Sequence, residues 1–572
     1  MRLSERLSLL QQWMTTFVLL IVIVTVLSAQ EPEKKEAAKK EVDLQNVQTP
    51  KANAPLPKID LPEFVITGNE KIDLNIETKN EDDQDRIFSP AIPALSERSM
   101  NVGEALTPKQ VKTFTKTPSA MNGKVFAGFG FYGTPQFNGW FGQYDPASSF
   151  VLNGYYSESN GHLPDAGFWK GGFGLRGSYT LPDSLSLLPL GQLSGELKYG
   201  REAYRAYGSS SPFRVRDLSG IEVSGGIGSR YALPYKSMSG VDYSARIGGG
   251  FFSTGDIVKS SETEFFVSGN ATTKILETAF RASVEYRISG YTMALPGVQS
   301  GHWFVFRTDG RQMILPLLQL SFSIQQIFYR GNVGPANGRL YPSIDLRYAF
   351  TEQASMYAGF APTVERNSLS SLFKENRYSN AIATVVPTDI RVHAYMGMEF
   401  SPIEEVIVTA RGSYKHLNNY ATFYDKDSAK VWEVLYLSGI RSTKFDLSAL
   451  YRLNEKQNVT AYATVQSVQQ KDSTKMLPHL PKYIIGSVYH HFFDIGVHAE
   501  AFVEYHSFRY TDFLSTNKNP GYLTSGIKAE IEMFNQFRGY TEINNLFDQR
   551  YYIWNGYQER TIFVMLGISY HW

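Results

Sequence analysis

From about Lys124 to the final Trp572, apolar and polar side chains alternate in stretches of strand length, separated by turn-forming residues. One stretch shows the rule. Phe280, Ala282, Val284, Tyr286 and Ile288 share one parity, and Arg281, Ser283, Glu285, Arg287 and Ser289 share the other. Successive side chains on a strand point to opposite faces, so one face is greasy and the other ionic. The pattern recurs roughly twenty times with no helical domain to cover the greasy faces, which predicts an all-β transmembrane antiparallel barrel, apolar toward lipid and polar toward a wet lumen. The strands predicted from the pattern run from 123–132 to 559–572, with 354–366 as one unbroken strand, and number about 22, an even count as single-chain barrels require.

The joints carry a second signal. Asn454-Glu455-Lys456, Pro402-Ile403-Glu404, Thr351-Glu352-Gln353 and Phe493-Asp494 are tight, whereas 367–387, 418–439, 469–479, 509–519 and 546–558 are long. Short turns on one side and long loops on the other match periplasmic turns and extracellular loops. An even strand count then puts both barrel termini on the short-turn, periplasmic side. The aromatic-rich loop Tyr420–Leu437 is expected either to touch an extracellular ligand or to extend a hairpin above the membrane.

Composition changes the picture before the barrel begins. Arg2 and Arg6, the apolar run Phe17–Leu27 and the small residues Leu27-Ser28-Ala29 read as an export signal over 1–29. Residues 30–117 hold 13 Lys and Arg, 16 Asp and Glu, and only three aromatics. Such a segment buries too little apolar surface to offset its ordering, so it reads as a charged periplasmic tail. One apolar island interrupts it at 61–68, where Glu63, Phe64, Val65, Ile66, Thr67 and Gly68 could add a strand to a partner's sheet edge. Residues 118–572 form the barrel domain. The net charge of +1 gives no bulk pull toward nucleic acid. The absence of cysteine excludes disulfides, thiolate metal sites and cysteine nucleophiles. Aromatic content of 14%, with 35 Tyr and 37 Phe, suits the two interfacial girdles of a membrane barrel.

Candidate chemistry is sparse. Gly128-Phe-Gly-Phe-Tyr-Gly133 fits the dinucleotide pattern literally, but no helix follows it to bind a pyrophosphate. His498, Glu500, Glu504 and His506 share the lumen parity of one strand and are weak candidates for a divalent metal. Same-face neighbours on a strand stand about 7 Å apart, so a polar wall with paired charges is the stronger reading. No serine, histidine and acid stand out as a local set, so neither enzymatic activity nor a cofactor is expected.

The end of the chain carries a family resemblance. Asn545, Leu546, Phe547, Asp548, Arg550 and Tyr551 precede the last strand, Pro478-His479-Leu480-Pro481-Lys482-Tyr483 precedes a late one, and the closing strand carries Gly567, Tyr570 and Trp572. These segments resemble the barrel of TonB-dependent receptors. The resemblance implies an outer-membrane barrel of 22 strands that takes up or binds a nutrient, and Gly567, Tyr570 and Trp572 resemble the signal read by the barrel-insertion machinery. Glu63–Gly68 resembles the family's short energy-coupling segment or the first strand of its plug; the former implies a periplasmic energy-transducing partner. The family's N-terminal plug has no counterpart in the polar stretch 30–117. Two other functions fit the same chain: an outer-membrane anchor whose tail tethers an envelope partner, and a passive pore.

Overall fold

The computed structural model describes residues 120–572, apart from Pro146, 182–190, Phe213, 230–240, 256–258, 276–277, 293–298, Glu352, 381–383, Asp472 and Thr474. The leader and tail expected at 1–29 and 30–117, including Glu63–Gly68, lie outside the described residues.

Twenty-two antiparallel strands close into one barrel. In chain order they are β1 (Ala120–Gly130), β2 (Thr134–Tyr144), β3 (Ser148–Ser159), β4 (Phe168–Thr180), β5 (Gly191–Arg205), β6 (Val215–Ser229), β7 (Val241–Gly255), β8 (Ser260–Ile275), β9 (Thr278–Thr292), β10 (Gln299–Leu315) and β11 (Leu318–Arg330). They continue as β12 (Asn337–Thr351), β13 (Ala354–Phe360, resumed at Thr363–Glu365), β14 (Thr388–Ile403), β15 (Val406–Asn418), β16 (Ile440–Asn454), β17 (Gln457–Gln470), β18 (Tyr483–Phe493), β19 (Val497–His506), β20 (Tyr522–Phe534), β21 (Phe537–Asn544) and β22 (Phe563–His571). Each pairs with its neighbours in sequence, and β1 pairs with both β2 and β22. At that seam Lys124 faces His571, Gly128 faces Gly567 and Gly130 faces Met565. Among the described residues the barrel sheet thus closes on itself.

The alternation seen in the sequence is the in–out alternation of the wall. On β9 Phe280, Val284, Tyr286 and Ile288 are exposed on the outside. Arg287, of opposite parity, pairs inside with Glu264 of β8 at 2.6 Å. On β22 Leu566 and Ile568 are exposed, while Phe563, Met565 and Ser569 are buried. The outer surface is a continuous belt of such apolar residues, which water would not tolerate and acyl chains would.

The strand expected unbroken over 354–366 is interrupted, and the one expected from 559 starts only at Phe563. β13 breaks at Ala361 and Pro362, because proline has no N–H to donate to the ladder. Both halves still pair with β14. Both barrel termini lie at one end. That end also carries the tight connections 316–317, 404–405, 455–456, 494–496 and 535–536, with a left-handed residue supplied by Gly496 (φ 76°) in one and Asn535 (φ 50°) in another. Two longer connections there, 181–190 and 230–240, fall almost wholly outside the described residues. The opposite mouth carries the long loops, and they are folded.

Candidate functional site

Three long loops converge across that mouth. The first, between β13 and β14, contains a short helix, α1 (Leu369–Glu375). Its sequence explains it: Leu369, Leu372 and Phe373 recur at i, i+3 and i+4, and all three are buried. Ser368 caps it, accepting the Ser371 amide at 3.0 Å, while the Ser371 hydroxyl accepts the Ser368 amide at 2.9 Å. The second loop, between β15 and β16, forms a hairpin of Tyr420–Tyr424 against Glu433–Leu437. The third, between β21 and β22, forms a smaller one of Tyr552–Trp554 against Tyr557–Gln558.

One apolar cluster joins all three to the inner wall. It contains Leu369, Leu372, Phe373 and Tyr378 of the first loop, Phe423 and Trp432 of the second, Trp554 and Tyr557 of the third, and Phe168, Tyr204, Leu218 and Tyr291 of the wall. Tyr378 and Tyr557 stack with ring centroids 3.6 Å apart. Trp432, fully buried, lies 5.2 Å from Trp554 and 5.7 Å from Tyr557. Backbone bonds tie the first loop to the second: Asn380 N–H donates to the Trp432 carbonyl at 2.6 Å, and Trp432 N–H to the Tyr378 carbonyl at 3.2 Å. The Tyr557 hydroxyl donates to the Lys430 carbonyl at 2.8 Å, which ties the third to the second. Of the two readings of Tyr420–Leu437, a hairpin does form there, and its apolar residues join the cluster. Phe423 and Trp432 turn inward because their apolar area finds partners on the other two loops; Tyr424 stays exposed.

The cap is also anchored to the barrel wall by polar groups. Leu369 N–H donates to buried Glu262 of β8 at 2.6 Å, and the Tyr291 hydroxyl donates to the same carboxylate at 3.1 Å. Arg366 pairs with Glu264. Arg216 of β6 donates to the carbonyls of Arg377, at 3.1 Å, and Ser379. The Tyr204 hydroxyl donates to the Arg377 carbonyl, and the Arg377 guanidinium lies 4.0 Å above the Tyr204 ring. Elsewhere in the cap, buried His162 approaches the Gln558 carbonyl at 3.5 Å, and burial with Arg560 nearby pushes its pKa down to about 2. His479 packs 4.6 Å from the Trp554 ring. Burial and then Arg509 push its pKa down to about 3. Burial raises the Tyr378 and Tyr557 phenols above their ordinary range.

The residues singled out in the sequence occupy other places. His498, Glu500, Glu504 and His506 do share one face of β19, but they sit in two separate groups. Glu504 bonds His506 and Tyr462, and Arg509 lies 3.1 Å from the other His506 nitrogen. Glu500 pairs with His490 at 3.6 Å, while His498 stacks on Phe492 at 4.1 Å. Among the described residues no group of three or more histidines and carboxylates is placed to hold a metal ion. A serine, a histidine and an acid do meet at the seam: Ser569, His571 and Glu530. Ser569 and Glu530 both approach the same nitrogen, His571 Nε2, at 3.0 and 3.5 Å. A relay needs them on opposite nitrogens. With Lys124 at 3.1 Å from Glu530, the trio is a wall ion network.

The family-like segments are stabilising joints. In Asn545–Asp548 both end residues take left-handed φ, 54° and 50°. The Asn545 amide donates to the carbonyls of Gln549 at 2.8 Å and Arg560 at 3.1 Å, and Asp548 accepts Ile562 N–H at 2.9 Å. One asparagine therefore pinches the two ends of the last loop together. Gly567 lies where a Cβ would sit 2.5 Å from the Phe126 ring, and Trp572 stacks against Tyr570 at 5.6 Å. Gly128 and Gly130 belong to β1, and Tyr132 and Gly133 make the turn after it, so no helix follows the glycine motif.

No family model and no curated protein matches the chain. Solved structures do. The FrpB iron transporter from Neisseria meningitidis matches with a TM-score of 0.62 at 10% identity, over 83% of each chain. The ferric-catecholate import receptor Fiu from E. coli K12, in its closed form, gives 0.61 at 11% identity, over 79% of this chain and 82% of that one. The copper transporter OprC gives 0.61 at 10% identity, over 79% and 81%. Among the described residues this chain has no plug domain. At these identities the likeness is one of fold: the described chain has the 22-stranded barrel architecture of the TonB-dependent receptors.

Proposed function

We propose that the chain is an outer-membrane uptake barrel, or receptor, with its long loops outside the cell and both barrel termini in the periplasm. The observation that carries this reading is the cap. An apolar cluster spanning a polar-walled barrel has no use in an anchor and would obstruct a passive pore. It suits a barrel that admits a chosen solute and otherwise stays shut. The fold matches, which include iron and copper transporters, support the same class and make complexes of those metals the first solutes to test. Gly567, Tyr570 and Trp572 present the seam strand to the barrel-insertion machinery. Glu63–Gly68 contacts a periplasmic energy-transducing partner by strand addition.

The test is deletion of residues 61–68 in the full chain. Barrel insertion should be unchanged, read by heat-dependent gel mobility of membrane-extracted protein. Accumulation of labelled iron or copper complexes should fall to the level of a strain lacking the protein. Full uptake by the deletion variant would end the coupled-transport reading. Loss of an envelope contact with no uptake defect would favour the anchor.

A further inference from the structure

Buried polar groups in a folded chain are almost always paired. At the edge of the cap one group is not. Arg560, near the end of the third loop, is 4% exposed. Its guanidinium lies 5.1 Å over the Phe168 ring and 4.9 Å over the Phe563 ring. Those rings attract the charge and hold it in place, but they offer no oxygen to its N–H groups. Nε and Nη2 are both buried and both without a hydrogen-bond partner, and Arg560 makes no ion pair among the described residues. These two nitrogens share one edge of the guanidinium, and their N–H bonds run parallel. That edge is the fork that grips two oxygens of a carboxylate or a phosphate. Arginine cannot escape burial by shedding its proton, as lysine and histidine can. A charge that stays on and is cut off from water calls for an anion rather than for a water molecule alone.

The neighbours of that edge are of the same kind. Gln558, two residues before Arg560, is 5% exposed, and its amide nitrogen has no partner. Its carbonyl lies 3.5 Å from Nε2 of His162, in the connection between β3 and β4. His162 is 7% exposed, its Nδ1 has no partner, and the Arg560 charge acts on its ring. That connection is tight because Gly161 takes φ 86°, where a Cβ would stand 2.4 Å from the Ala166 backbone. Four buried nitrogens without a partner thus come from three residues of two adjoining loops. Glu559, the carboxylate next to Arg560 in sequence, is buried elsewhere in the cap, where its charge acts on the Tyr551 and Tyr522 phenols.

We propose that Arg560, with Gln558 and His162 beside it, is a binding site for one oxyanion group, a carboxylate or a phosphate. The Nε–Nη2 edge takes two oxygens of the group, and the occupied site ties the β3–β4 connection to the third loop. The identity of the molecule that carries the group rests on the uptake reading, on which the solute is itself a carboxylate or phosphate anion; the site does not rest on it.

The full chain in lipid nanodiscs is tested by hydrogen exchange in sodium phosphate, sodium acetate or sodium chloride at equal ionic strength. Phosphate or acetate should slow exchange in peptides covering 160–168 and 551–563 and leave peptides from β9 to β12 unchanged; chloride should do neither. Titration calorimetry with the protective ion should give one saturable site per chain, and the ion that protects more names the group. Arg560→Gln should abolish both responses. Arg560→Lys keeps the charge but not the fork, and should bind about tenfold more weakly. Heat-dependent gel mobility establishes that each variant is a folded barrel. No saturable binding of either oxyanion by the parent, an equal response to chloride, or full binding by folded Arg560→Gln would overturn the proposal. The parent measurements alone decide it should the variants not fold. None of them depends on residues 61–68, so failure of the coupled-uptake test leaves this one standing.

Discussion

Replacing Trp432 with alanine removes the centre of the cap. The side chain is fully buried and packs near Tyr378, Trp554 and Tyr557 of the other two loops and His479 of the β17–β18 connection, with ring centroids 5.2 to 6.4 Å away. Its indole N–H has no hydrogen-bond partner among the described residues, so the loss is one of packing alone. Truncating a buried Trp to Ala costs about 3–5 kcal/mol. The Asn380 and Trp432 amides exchange only when the first and second loops part. A loss of even about 3 kcal/mol would lower their protection by roughly a hundredfold, at about 1.4 kcal/mol per decade. Hydrogen-exchange mass spectrometry on protein in lipid nanodiscs reads this directly, comparing peptides covering 366–380 and 426–437 with peptides from β18 to β20. The cap peptides should lose protection and the barrel peptides should not. Unchanged exchange over 366–380 in Trp432→Ala would refute the claim that this cluster holds the loops together.

Two further outcomes follow from the same geometry. His162 and His479 are held neutral in the closed cap, with pKa values pushed below the ordinary 6.5 to about 2 and about 3. Freed loops would take up those protons as pH falls below about 6.5, so acid favours opening; at pH 5 each histidine contributes at most about 2 kcal/mol, from 1.36 kcal/mol per unit. Bilayer conductance should therefore rise between pH 7 and pH 5, with a shallower rise in His479→Gln, and a pH-independent trace would contradict the assignment. Asn545→Ala should loosen the last loop by about 1–3 kcal/mol, since it leaves the Arg560 and Gln549 carbonyls without their donor; proteolysis within 546–561 should quicken while the barrel stays resistant.

The wall was legible in the sequence because a strand reports its two faces locally. Phe280 to Ile288 on one parity and Arg281 to Ser289 on the other needed no tertiary knowledge to place them outside and inside. The break in β13 is also readable at Pro362. The cap was harder. Tyr378, Trp432 and Tyr557 come from three loops far apart in the chain, and nothing in their local spacing says that they meet. Part of it was visible nonetheless: Ser368-Leu-Ser-Ser-Leu-Phe carries a capping serine and an i, i+3, i+4 apolar face. No local pattern ties Glu262 to its partner, the Leu369 amide, which lies 107 positions away. The lumen-facing quartet His498, Glu500, Glu504 and His506 was correctly put on one face, but strand spacing gave each pair different neighbours.

The central claim is that the long loops fold into a cap over a closed barrel. A side-chain-resolved electron cryomicroscopy map of the full chain in lipid nanodiscs at neutral pH tests it most directly. Density should run unbroken from α1 through stacked Tyr378 and Tyr557 to Trp432, with the Leu369 amide on Glu262 of β8. Loops splayed outward above an unobstructed mouth would contradict it.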